Sequence, residues 1–220
     1  MTTLNLVQKG CRRDSEIIRA VEKHKALNTE QIEVMFFSHL KTGQRLAQHR
    51  LKMLYTQRRL TRSRIELSQP CYYYIGKKPG QAEHVLAVNW GFVWVFKNLK
   101  KWEKIHCFYP EADYGLLRVD GLVGVKNTLS GSMQIFFIEA DLSSNTFDKI
   151  AKYNDLYSSE KYLSAWWAPL VSRFPMILIF TATESRLRLI KEEIEKNNSN
   201  NLEFKTYLLP QVRRECLGRG

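Results

Sequence analysis

Apolar residues recur at helical spacing three times in the first sixty positions. Ile17, Ile18 and Val21 predict a helix over residues 14–24. Asn28 stands three residues before Gln31, the spacing of a capping box, and predicts a short helix through Phe37 with Ile32, Met35 and Phe36 facing inward. Thr42 is placed to cap a third helix, "GQRLAQHRLKMLYTQ". Its Leu46, Leu51 and Leu54 form the buried side and leave Arg45, Gln48, His49 and Lys52 for other faces. The pattern then breaks at Ser68-Gln69-Pro70 before the β-rich "CYYYI", so "RRLTRSRIELSQPCYYYIG" reads as a two-stranded hairpin.

Beyond a polar link at 76–80, "GKKPG", the period changes. "QAEHVLAVNWGFVWVFKNLKKW" predicts a helix with Val85, Val88, Phe92, Val95, Phe96 and Leu99 on one apolar side. Strand signals follow at 104–109, 116–125 and 134–141, then a helix over about 146–157 with Asn145 as its cap. "FPMILIFTAT" is a continuous apolar strand, "ESRLRLIKEEIEKN" an amphipathic helix and "EFKTYLL" a last strand. The order α-β-β-β-α-β-α-β predicts an α/β (α+β) chain whose second part is a mixed sheet flanked by helices. The link places the domains at 1–78 and 81–212.

Composition sharpens this picture. The chain has 220 residues, 44% of them hydrophobic, enough for a substantial core. Its net charge is +12 and very uneven: residues 1–80 carry 16 Lys/Arg against 6 Asp/Glu, residues 81–220 carry 18 against 16. That asymmetry predicts a polyanion-binding module joined to a nearly neutral globular one. Cys11, Cys71, Cys107 and Cys216 are scattered without a CxxC pair, which argues against zinc and a disulfide framework and for reduced thiols in the cytoplasm. No apolar run has signal-peptide or membrane-span length, so no membrane partner is expected. Walker, GxSxG and HExxH motifs are absent.

Three short helices and a hairpin predict a winged helix-turn-helix, with the third helix in a major groove. Residues 41–64 hold eight Lys/Arg and no acidic residue. Phosphate-facing surfaces need that bias, because each neutralised phosphate releases counterions. The expected contacts to double-stranded DNA are Lys41, Arg45, Gln48, His49, Arg50, Lys52, Arg58, Arg59, Arg62 and Arg64. The alternatives are a solvated basic face and a winged helix that binds protein.

The second part carries a candidate site. Ile135-Phe136-Phe137-Ile138 stops at Glu139 and Asp141, which alternation puts on one face at a strand end. Asp120 lies in the preceding strand, a hairpin partner. This order resembles the restriction-endonuclease-like fold. Its nuclease motif has an Asp on the second strand and Glu-x-Lys on the third, where the carboxylates hold a divalent metal. Here Asp141 stands in place of the Lys. Asp120, Glu139, Asp141 and Lys149 are the catalytic candidates if the site is active, with Asp120 and Glu139 as ligands for Mg2+. Otherwise no cofactor is expected, and Lys149 or Lys152 neutralises the carboxylates from the next helix. In that case Asp141 pairs with one of these lysines or caps the helix through Ser143 and Ser144. Glu83 is a weaker ligand candidate. His84 and Asn89 read as structural polar residues on an apolar helix, and "AWWAP" (165–169) as core or as a loop for a partner or a base.

The chain resembles the replication-relaxation family of plasmid, phage and integrative-element proteins. The resemblance rests on "LNTEQIEVMFF", "HVLAVNW" and "FFIEADLSSNTFDKIAKYNDLY", with Lys149, Lys152 and Tyr153 on the helix after the Glu-x-Asp. It implies a DNA-binding accessory protein acting in replication, relaxation or conjugative mobilisation, as a homodimer or with other mobile-element proteins. The alternatives are a winged-helix transcriptional regulator and a metal-dependent DNA endonuclease.

Overall fold

The computed structural model describes residues 6–142 and 147–218. Among them run seven α-helices and eight strands in two sheets, a mixed α/β architecture. The chain divides into two compact units, Met1–Asn89 and Trp90–Gly220.

In the first unit α1 (Leu6–Lys23) begins earlier than the apolar spacing suggests, because its first turns carry no apolar period to reveal them. Lys25, with φ 63°, reverses the chain into β1 (Leu27–Asn28). The capping box of α2 (Thr29–Phe37) closes both ways. Gln31 N donates to Asn28 Oδ1 at 2.8 Å and Asn28 N donates to Gln31 Oε1 at 3.0 Å. Thr42 makes no side-chain cap bond to α3 (Gly43–Thr56). The decisive residue there is Gly43, where a Cβ would meet the Phe37 carbonyl oxygen at 2.6 Å. Its bare backbone lets α3 close on α2. Ile17, Val21, Ile32, Phe37, Ala47, Leu51 and Leu54 form the fully buried core of the three helices, and Leu46 packs at its margin.

The hairpin of β2 (Thr61–Ser63) and β3 (Tyr72–Tyr74) was expected with two strands and has three. β1 adds to the free edge of β3, with Leu27 opposite Tyr73 and Asn28 opposite Tyr72. Two residues are too few to show a strand period.

α4 (Ala82–Lys97) is buried without a break from Leu86 to Val93, rather than along one side. Its first half belongs to the first unit, where it is tied by polar bonds. Gln31 Nε2 donates to Leu86 O at 2.7 Å. Asn89 Nδ2 donates to the carbonyls of His24 at 3.0 Å and Ala26 at 2.6 Å, and Asn89 Oδ1 lies 2.9 Å from His24 Nδ1. Asn89 is the structural polar residue its setting suggests.

The second unit is built on a five-stranded sheet. β4 (Glu103–Asp113), β5 (Arg118–Asn127) and β6 (Met133–Asp141) form an antiparallel meander, and β7 (Met176–Thr181) and β8 (Phe204–Leu208) extend it in parallel. The crossover helices α5 (Lys149–Ser158) and α6 (Glu184–Asn197) bring Tyr153, Leu156 and Ile190 onto Phe137, Ile177 and Ile179. At Gly91 of α4 a Cβ would lie 2.7 Å from both Ile138 Cγ2 and Phe180 Cε2. Ile138 and Phe180 alternate with Phe137 and Ile179, so β6 and β7 are covered on both faces. That explains the unbroken apolar run of β7. A last helix, α7 (Leu209–Leu217), was not foreseen. Its Leu209, Val212 and Cys216 are buried, and Pro210 suits its first turn. The expected start of α5 at 146 and its Asn145 cap lie outside the described residues.

Candidate functional site

β5 and β6 pair only as far as Gly121 opposite Ile138. Beyond that point β6 continues with β7 alone, Glu139 opposite Ile179 and Asp141 opposite Thr181. The Ala140 N–H that faces the vacated ladder donates to Asp120 Oδ2 at 3.0 Å. Asp120 therefore replaces a strand partner at the fork, and its carboxylate is fixed beside Glu139.

Glu139 is fully buried. α5 supplies two donors from consecutive turns: Lys149 Nζ to Glu139 Oε2 and the Tyr153 hydroxyl to Glu139 Oε1. Lys149 Nζ also donates to Asp120 Oδ1 at 2.8 Å. One ammonium thus bridges the two carboxylates, with 24% of its side chain still exposed. Burial pushes the Glu139 carboxyl well above its ordinary range. The Asp120 charge pushes the same way, and Lys149 opposes both. Burial alone would lower the Lys149 ammonium, but Glu139 and Asp120 together outweigh it and raise it. Burial, then the Glu139 charge, raises the Tyr153 hydroxyl far above its usual value, so it stays a neutral donor.

Asp120, Glu139 and Lys149 are thus brought together from three elements. Asp141 is held differently. Arg186 of α6 donates through Nε to Asp141 Oδ2 at 2.7 Å, and its Nη2 lies 2.6 Å from the same oxygen, an ion pair almost closed to solvent. The expectation that Lys149 or Lys152 would take Asp141 is corrected. Lys149 is engaged by Glu139 and Asp120, and Lys152 reaches Asp148 one turn away at 2.5 Å. The capping route through Ser143 and Ser144 lies outside the described residues. Glu83 is exposed on the first unit's part of α4. Arg186 and the Tyr153 hydroxyl were missed as partners. Tyr153 had a local signal, since it lies one helical turn after Lys149. Arg186 is forty-five residues from Asp141 and had none.

No group of three or more His, Cys, Asp or Glu able to hold a metal occurs among the described residues. The two carboxylates that would hold one already receive a lysine ammonium.

The second candidate surface lies in the first unit. Lys41, Arg45, Gln48, His49, Lys52, Arg58, Arg59, Arg62 and Arg64 are all exposed. Arg62 stacks its guanidinium over the Tyr55 ring at 4.4 Å, and Arg64 Nε donates to Cys71 Sγ at 2.9 Å. Both interactions pin long side chains on the hairpin. Arg50 differs from its neighbours. It is half-buried and doubly bonded to the buried Asp14, with Nε to Oδ1 at 2.9 Å, so it ties α3 to α1. No helix among the described residues is long and apolar enough to cross a membrane. No protein-family model, curated protein or solved structure matches this chain.

Proposed function

We propose that this protein binds double-stranded DNA through α3 and the β2–β3 hairpin, as a winged helix-turn-helix, and that its second unit is a non-catalytic scaffold. The observation that carries the reading is the exposed basic surface of residues 41–64, which holds no carboxylate. A solvated face gains nothing from such one-sidedness, whereas a phosphate-facing one releases counterions at every phosphate it neutralises. The resemblance to the replication-relaxation family gives the role: an accessory protein in the replication, relaxation or transfer of a mobile element.

The second unit supports the non-catalytic half. A nuclease lysine has to remain near a metal-bound phosphate. Lys149 instead closes an ion-pair cluster with Asp120 and Glu139, and Tyr153 completes it. Lys149 offsets one of the two carboxylate charges, and the Tyr153 hydroxyl supplies Glu139 with a further donor.

The test is one electrophoretic and cleavage series on the full chain, with and without Mg2+. Duplex DNA should shift, and neither linear nor supercoiled DNA should be cut. Joint replacement of Arg45, Lys52 and Arg59 by Ala should weaken binding. It should also reduce the steepness of the salt dependence by roughly one unit for every phosphate no longer neutralised. An unchanged salt slope would refute the interface. Mg2+-dependent cleavage abolished by Asp120→Ala in a folded variant would replace the scaffold with an endonuclease.

A further inference from the structure

The second unit has another concavity, of about 760 Å³, between the end of β4 and the segment 160–166. Its walls carry Tyr109 and Trp166, exposed to 49% and 47%. Their rings meet edge to face with centroids 5.7 Å apart. On the same segment Tyr162 stacks on Trp167, and the Trp167 Nε1 donates at 2.7 Å to the hydroxyl of Tyr114, which also lines the concavity. These contacts order the segment that carries Trp166. Half the surface of the Tyr109 and Trp166 rings stays exposed and available to a ligand.

Charge tells which ligand. Glu111, Asp113 and Glu160 line the same concavity, with Lys161 beside them. With Arg118 paired to Glu111 and Lys161 offsetting a second carboxylate, one negative charge remains, carried by Asp113 and Glu160, which disfavours a nucleic-acid backbone and favours a cation, in contrast to the basic first unit. Glu111 already receives the Arg118 guanidinium at 2.6 Å, the same kind of pair a bound arginine would make. β4 is the edge of its sheet, but a strand cannot simply add there. Pro110 has no N–H to offer, and Glu111 at φ 64° turns the backbone out of strand geometry. Recognition must go through side chains.

We propose that this groove binds an arginine side chain on a basic segment of a protein partner. The guanidinium lies on the Trp166 or Tyr109 face, and its N–H fork reaches Asp113 and Glu160. The volume accommodates more than one side chain, so flanking residues of the segment fit as well. This proposal stands apart from DNA binding, which uses the other unit.

The experiment titrates the full chain with a short peptide bearing a central arginine, and with the same peptide carrying neutral citrulline in its place. The reporter is the Trp166 indole N–H resonance, assigned by its loss in Trp166→Phe. The arginine peptide should shift that signal. Citrulline should weaken binding about tenfold or more, and Asp113→Asn with Glu160→Gln should do the same. Trp166→Phe keeps a ring and should retain most of the affinity, read from the peptide's own resonances, whereas Trp166→Ala should lose it. Equal binding of both peptides, or no shift at all, overturns the proposal. A single-stranded oligonucleotide that moves the same resonance and displaces the peptide also overturns it, and makes the groove a base-stacking site.

Discussion

Replacing Lys149 with Met keeps most of the side chain's apolar length and removes only the charge that two carboxylates share. Glu139 has no exposure and cannot turn to water for compensation, whereas Asp120 keeps 15% of its side chain exposed. Breaking a buried pair by deleting one partner costs about 3–5 kcal/mol. At about 3 °C per kcal/mol for a chain of this size, melting should fall by about 10 °C near neutral pH. The pH dependence makes the test specific. Burial and Asp120 already raise the Glu139 carboxyl, and without Lys149 it rises further. The native variant then holds a proton that the unfolded chain releases. Stability must therefore fall as pH rises from the ordinary carboxyl range to the raised one, at up to about 1.4 kcal/mol per unit. Urea denaturation of Lys149→Met at a series of pH values from acid to mildly alkaline reads both effects. Glu139→Gln in the Lys149→Met background should recover part of the loss, since it removes the uncompensated charge. A loss below about 1 kcal/mol with no added pH slope would mean that the cluster is solvated and that Lys149 is not a structural bridge.

Other perturbations reach other parts of the fold. His24 is buried, which pushes its imidazole down to about 4, so native protein refuses a proton that the unfolded chain accepts below its ordinary value. Stability should therefore decline as pH falls from about 6.5 toward 4, and His24→Gln should flatten that decline in the same denaturation series. Gly91→Ala should cost about 1–3 kcal/mol by overpacking, because the new methyl meets Ile138 and Phe180 at 2.7 Å, measured as a drop in denaturation midpoint at constant slope. Arg50→Ala should cost about 1–3 kcal/mol of stability by stranding Asp14, while the salt slope of DNA binding stays nearly unchanged.

What the chain's own pattern determined is the local part. The 3.6-residue spacing located α1 to α3, the Asn28–Gln31 interval located a capping box, and alternation put Glu139 and Asp141 on one face. These are consequences of backbone geometry within a few residues, so they survive without knowledge of the fold. Hairpin adjacency carried the argument one step further. Consecutive strands usually pair, so Asp120 could be set beside Glu139, and a lysine on the following crossover helix could be expected to reach them. Lys149 does reach both.

Only the tertiary structure decided the rest. Asp141 meets Arg186 because the parallel crossover sets α6 over the end of β6, and nothing in either residue's neighbourhood announces it. Arg50 reads as one more exposed cation until α1 packs against α3 and presents Asp14 to it. β1 exists because the edge of β3 is available to pair with Leu27 and Asn28, two residues with no period of their own. α4 looks one-sided by spacing and is buried without a break from Leu86 to Val93: Leu86 and Asn89 are tied by hydrogen bonds within the first unit, and Gly91 closes against Ile138 and Phe180 within the second. In each case a local pattern fixes the direction in which a side chain leaves the backbone. Which group it meets depends on strand order and helix placement, and those are set by the packing of the whole unit.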